Sequence, residues 1–159
     1  MSIHTPQRSK VTLEKELRIG IVASQYNASF VDVMLEEAQK ELRALAPQVI
    51  IQIVRVPGAF EIPLLVKILA ERQKPDAIIA LGLILRGKTA HANLIAQTVS
   101  QALLQTSLEH SLPVIHEVLL VKNEKQASAR CLAGSMNRGA EAAQAALSAI
   151  QAAHNISSR

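Results

Sequence analysis

Aromatic side chains are almost absent from this chain: Tyr26, Phe30 and Phe60 are the whole set among 159 residues, and there is no tryptophan. Since 49% of the residues are hydrophobic, the core must be aliphatic and rich in alanine. A surface for stacking nucleobases is missing too, and lysine and arginine are scattered among the acids rather than gathered in a block. The formal charge of +4 therefore argues for small anionic ligands and against nucleic acid. One cysteine, Cys131, excludes an internal disulfide framework and fits a reducing compartment. No apolar run approaches the roughly 20 residues that span a bilayer. Residues 1–15 are mostly polar, without the apolar centre of a secretory signal. The expectation is a cytoplasmic protein without a membrane partner, with a flexible tail over residues 1–15 and a single domain over residues 16–159.

What is present alternates between two periodicities. Ile19–Ala23 reads as a strand, and Ser29-x-x-Asp32 as a helix start. Val31, Met34, Leu35, Ala38, Leu42 and Leu45 then follow at helical spacing. Val49–Val56 is a second β-rich run, closed by the turn signal Pro57-Gly58. A short helix is predicted from about Pro63, with Leu64, Leu65, Ile68 and Leu69 on its inner face. Ile78–Leu85 is the third strand, His91–Leu108 the third helix and Val114–Val121 the fourth strand. A helical stretch from about Glu124 to Ala153 is broken near Gly134 and Gly139. Its last part, Ala140–Ala153, holds eight alanines, which suits either close packing against another helix or simple helix propensity. This order implies an α/β fold with a four-stranded parallel sheet and helices on both faces. Ligands in such sheets bind beyond the carboxyl ends of the strands. That rule would gather Ser24–Asn27, Val56–Glu61, Leu83–His91 and His116–Val121 on one rim.

The exit of the third strand carries the chemistry. After Leu85 the chain breaks at Arg86-Gly87, passes Lys88-Thr89, and meets His91 where the next helix begins. Free N–H groups at a helix start, an ammonium and a hydroxyl make a seat for an anion such as phosphate. An imidazole ordinarily titrates near neutrality, so His91 could exchange protons with a ligand held there. Gly82 to Thr89 also satisfies the letters of a phosphate-binding P-loop. However, Leu83, Ile84 and Leu85 belong in a strand, not in a loop wrapped around phosphate. Only the Gly87-Lys88-Thr89 seat survives from that motif.

From about Arg18 to the last helix the chain resembles the lumazine synthase (6,7-dimethyl-8-ribityllumazine synthase) family. The words that carry the likeness are Val56-Pro-Gly-Ala-Phe-Glu-Ile-Pro63 and Arg86-Gly-x-Thr-x-His91, supported by Gln126-Ala127, Arg130 and Asn137-x-Gly139. The resemblance implies a flavodoxin-like three-layer α/β/α sandwich whose N-terminal tail can pair with a neighbouring subunit. It also implies a reaction without cofactor or metal, in which 5-amino-6-(D-ribitylamino)uracil condenses with 3,4-dihydroxy-2-butanone 4-phosphate and phosphate is released. In that scheme His91 transfers protons, while Lys88, Thr89 and Arg130 hold the phosphorylated substrate. Tyr26, Ala59, Phe60, Glu61, Leu83, Ile84, Leu85 and His116 line the pyrimidine and ribityl site, with Asn27 and Arg138 as additional candidates. Family sites lie between subunits of a homopentamer, which can close into a 60-subunit shell and associate with riboflavin synthase.

The chain departs from the family pattern around its fourth strand. His116 stands where phenylalanine is usual, Glu117 where glycine is usual, Leu120 and Val121 replace two threonines, and Arg138 replaces a lysine. Glu117 would add negative charge near a phosphate site. Segment Arg130–Gly139 lacks the insertion that often accompanies members stopping at pentamers, which favours the shell. Besides the enzyme, the sequence leaves open a lumazine- or flavin-binding scaffold of the same fold with weakened catalysis.

Overall fold

The computed structural model describes residues 16–132 and 137–157. The expected tail over residues 1–15 and the break near Gly134 lie outside them. Four strands, β1 (Arg18–Ser24), β2 (Ile50–Val56), β3 (Ala77–Leu85) and β4 (Val114–Val121), form one parallel sheet in the order β2-β1-β3-β4. The helices are α1 (Ala28–Leu45), α2 (Ile62–Arg72), α3 (His91–His110), α4 (Glu124–Cys131) and α5 (Arg138–Ser157). A one-turn 3-10 helix, Ala59–Glu61, precedes α2.

Side-chain alternation along the central strands builds the layers. Ile19, Ile21 and Ala23 of β1, with Ala77, Ile79, Leu81 and Leu83 of β3, pack against α1, α4 and α5. Val22 of β1, with Ile78, Ala80 and Ile84 of β3, packs against α2 and α3. A strand clothed on both faces has no room for polar residues, which explains the unbroken apolar run of β3. The result is the expected three-layer α/β/α sandwich.

Two local expectations change, and a glycine gains a packing role. α1 starts one residue ahead of Ser29, because Asn27 adopts a left-handed conformation (φ 59°, ψ 40°) and its carbonyl accepts from the N–H groups of Phe30 and Val31. The inner face of α2 is Ile62, Val66, Leu69 and Ala70, while Leu64 is 61% exposed. Ile62 starts the helix, so the face at i, i+4, i+7 and i+8 turns away from the leucine pair that a start at Pro63 suggested. The interruption expected near Gly139 ends at Asn137, and Gly139 is the second residue of α5. A Cβ there would stand 1.8 Å from the backbone oxygen of Met34, so the glycine marks the close approach of α5 to α1.

Candidate functional site at the carboxyl ends of the strands

Three strand exits are tied into one rim by hydrogen bonds from backbone and side chains. Gln25 N–H donates to the carbonyl of Val56 (2.8 Å) and Tyr26 N–H to that of Pro57 (2.9 Å), joining the ends of β1 and β2. The guanidinium of Arg55 adds a bond to the Ser24 carbonyl (3.1 Å) while pairing with Asp32 (2.7 Å). The amide of Asn27 donates to the Leu83 carbonyl (2.8 Å), joining β1 to β3. Glu61 turns back and accepts from Gly58 N–H through Oε2 (2.9 Å), which fixes its carboxylate at the head of the 3-10 turn. Gly58 permits this crowding. A Cβ there would lie 3.0 Å from that oxygen and 3.1 Å from the Tyr26 ring.

Between these exits and the first turns of α3 lies a cavity of about 620 Å³. Of the expected site residues, Tyr26, Asn27, Ala59, Phe60, Glu61, Leu83, Ile84, Leu85 and His91 all line it. His91, the first residue of α3, is exposed to the cavity. Leu94, Ile95 and Thr98 continue the same helix face at i+3, i+4 and i+7. The sequence alone did not mark these three as site residues. The 61% exposure of Leu94 distinguishes a cavity wall from core only once the fold is known.

Five expected residues stand elsewhere in the subunit: Lys88, Thr89, Arg130, Arg138 and His116 do not line the cavity. Lys88 and Thr89 lie exposed in the segment between β3 and α3. Gly82 is inside β3, packed against Ile62, Val118 and Ser24, and so the P-loop reading has no structural basis. His116 pairs in register with Ala80, three residues below Leu83 at the rim, and its ring turns to α3. There His116 Nδ1 accepts from Val118 N–H (3.1 Å), so the neutral ring carries its proton on Nε2 and donates to Ser100 Oγ (2.6 Å). Burial lowers the pKa of this imidazole, only partly offset by a backbone hydrogen bond.

On the opposite side of β4, Glu117 lies near Arg138, whose guanidinium contacts Glu141 at 2.6 Å. Burial pushes the Glu117 carboxyl up to about 7; Arg138 opposes the shift and Glu141 adds to it. Cys131 is buried, and desolvation, followed by the charge of Glu117, raises its thiol to about 11, so it stays protonated and unreactive at neutral pH. Because Glu117 in the folded chain holds a proton between its ordinary value of 4.5 and about 7, while an unfolded chain does not, its contribution to stability falls as pH rises through that window. Glu117→Gln is expected to flatten this decline, raising stability at pH 8 by up to about 3 kcal/mol. Urea unfolding of both proteins at pH 5 and pH 8 checks it; parallel pH dependences would contradict it.

A second cavity, about 510 Å³, lies at the other end of the sheet, lined by residues that include Lys74, His110 and His154. The ends of α2, α3 and α5 converge there, and the Lys74 ammonium just past the carboxyl end of α2 complements that helix dipole. Among the described residues no cluster of metal-ligating side chains occurs, and no helix is long and apolar enough to cross a membrane.

A parallel α/β sandwich with an aromatic ring, a fixed carboxylate and an imidazole around a cavity at its strand ends defines a small-molecule-binding protein of the doubly wound class. Comparison narrows this. The family model for 6,7-dimethyl-8-ribityllumazine synthase matches residues 16–154. A 6,7-dimethyl-8-ribityllumazine synthase of Coxiella burnetii (strain CbuG_Q212) is 39% identical over 139 residues, 87% of this chain and 92% of that protein. The synthase of Methylibium petroleiphilum is 36% identical over 144 residues, 90% and 88% of the two chains. That of Leptothrix cholodnii is 39% identical over 133 residues, 83% and 84%. The chain belongs to the 6,7-dimethyl-8-ribityllumazine synthase family.

Proposed function

We propose that the protein is a lumazine synthase of riboflavin biosynthesis, joining 5-amino-6-(D-ribitylamino)uracil to 3,4-dihydroxy-2-butanone 4-phosphate. The observation that carries this reading is the convergence of Tyr26, Glu61 and His91 on one cavity. β1 stops pairing with β3 at Ala23–Leu81, whereas β3 runs on beside β4 to Leu85–Val121. The backbone of Leu83–Leu85 thus faces the cavity along an edge that β1 leaves unpaired. Such an edge suits the in-plane donors and acceptors of a pyrimidinedione, with the Tyr26 ring free to lie over its face. Glu61 keeps Oε1 for a ribityl hydroxyl while Oε2 holds Gly58.

The reaction proceeds as an amine–ketone condensation. The amine attacks the ketone and an imine forms with loss of water; phosphate is eliminated; a second condensation closes the ring and releases another water. Each step moves a proton, and in this reading His91 carries it. No cofactor is required by this scheme.

The rest of the site comes from a neighbouring copy in this reading. Arg130, Arg138 and His116 lie away from the subunit's own cavity, and Leu94, Leu104 and Leu108 leave α3 with large exposed apolar side chains. A homopentamer, alone or closed into a 60-subunit shell and able to associate with riboflavin synthase in the cytoplasm, would cover them. Arg130 and Arg138 would then meet the phosphate, with Lys88 and Thr89 beside it, and His116 would offer a flat neutral ring to the pyrimidine.

Mixing both substrates with purified protein tests the function. Lumazine absorbance and fluorescence should rise with matching release of phosphate. Binding of the pyrimidine without turnover would instead leave a scaffold that holds lumazines or flavins. Sedimentation reads the assembly, and a monomer would contradict a site shared between subunits.

A further inference from the structure

We propose that Asn27 is a positioning residue, its amide tethering the turn that carries Tyr26 to the unpaired end of β3 and so setting the width of the pyrimidine slot. The proposal rests on the reading of this cavity as the pyrimidine site.

Asn27 is one of three non-glycine residues at positive φ among the described residues, the others being Lys74 and Ser111. Lys74 and Ser111 close the ends of helices at the far side of the sheet, whereas Asn27 stands at the cavity. Asparagine tolerates the left-handed region better than most side chains, but a helix start does not require that conformation. Its use here is explained by where it sends the side chain. β1 has ended at Ser24, and without Asn27 the Leu83 carbonyl would have no partner from that side. Nδ2 fills the place a longer β1 would have taken, at 2.8 Å. A carbonyl oxygen only accepts, so the amide orientation is determined and Oδ1 points away from Leu83. The same residue starts α1 through its own carbonyl, which accepts from Phe30 (3.0 Å) and Val31 (3.2 Å). One residue therefore links the ring-bearing turn, the strand that offers the backbone edge and the first turn of α1. Tyr26 itself is 70% exposed, with a backbone bond to Pro57 and a contact between its ring and Gly58.

Two substitutions separate the tether from the turn. Asn27→Gly accepts the left-handed backbone freely, and Asn27→Asp tolerates it, yet neither can donate to the Leu83 carbonyl. Both are expected to raise KM for the ribitylaminouracil about 10-fold, with kcat and KM for the phosphorylated substrate changed less than about twofold. A second readout is independent of turnover. Tyr26 is the sole tyrosine and the chain has no tryptophan, so tyrosine emission reports this turn alone. Its anisotropy should fall in both variants while their far-ultraviolet circular dichroism matches that of the wild type. Wild-type KM and anisotropy in both variants would overturn the proposal, as would a loss confined to kcat. Failure of the wild-type protein to form lumazine would instead sink the underlying reading, and the anisotropy comparison would still decide whether the tether fixes Tyr26.

Discussion

Replacing His91 with alanine is expected to lower kcat by about 10²–10⁴-fold, the usual contribution of a positioned acid–base group, with a much smaller change in KM for either substrate. The expectation follows from what else the cavity contains. Its lining holds two further ionisable side chains, Tyr26 and Glu61, and Glu61 already spends one oxygen on Gly58 N–H. An imidazole exchanges protons near neutrality as neither a phenol nor a carboxylate ordinarily does. Steady-state rates of lumazine formation with each substrate varied in turn would show the loss in kcat and the smaller change in KM. Unchanged turnover would take His91 out of the mechanism.

The second large effect concerns the scaffold. Gly139→Ala would place a methyl carbon 1.8 Å from the Met34 oxygen, 2.6 Å from its carbonyl carbon and 2.7 Å from its Cα. These are backbone atoms of α1, which cannot swing aside as a side-chain tip can. Overpacking of side chains costs typically about 1–3 kcal/mol, so a clash with backbone should cost about 3 kcal/mol or more. The helices must part, and with them Asn137, whose amide oxygen accepts from Gly139 N–H (2.8 Å) and whose amide nitrogen donates to the Cys131 carbonyl. Chemical denaturation reads the change directly. A midpoint equal to that of the wild type would contradict the close approach.

Most of the architecture was legible because burial on two faces leaves a distinct pattern, and β3 is the clearest case. That His91 lines the cavity could be anticipated because it follows Gly-Lys-Thr at a strand-to-helix turn on the carboxyl rim of the sheet. Leu94, Ile95 and Thr98 were not legible, since a helix face toward a cavity has the same periodicity as one toward a core. Gly139 marked the restart of the helix, but its contact with α1 was not legible, because glycine lowers helix propensity whether or not a neighbouring backbone demands it. The place of His116 depended on register, which no single strand encodes. Its pairing with Ala80 sets it below the rim and against Ser100.

Mixed assembly of two impaired variants tests the central claim, that lumazine forms in this cavity with help from a second copy. His91→Ala and Arg130→Ala subunits would each be assayed alone, then unfolded, mixed in equal amounts and reassembled. If His91 and Arg130 act in one site from different copies, random mixing restores about a quarter of the wild-type sites. Lumazine formation should then rise well above the sum of the two separate variants. A mixture no more active than that sum would show that the two residues do not meet across subunits.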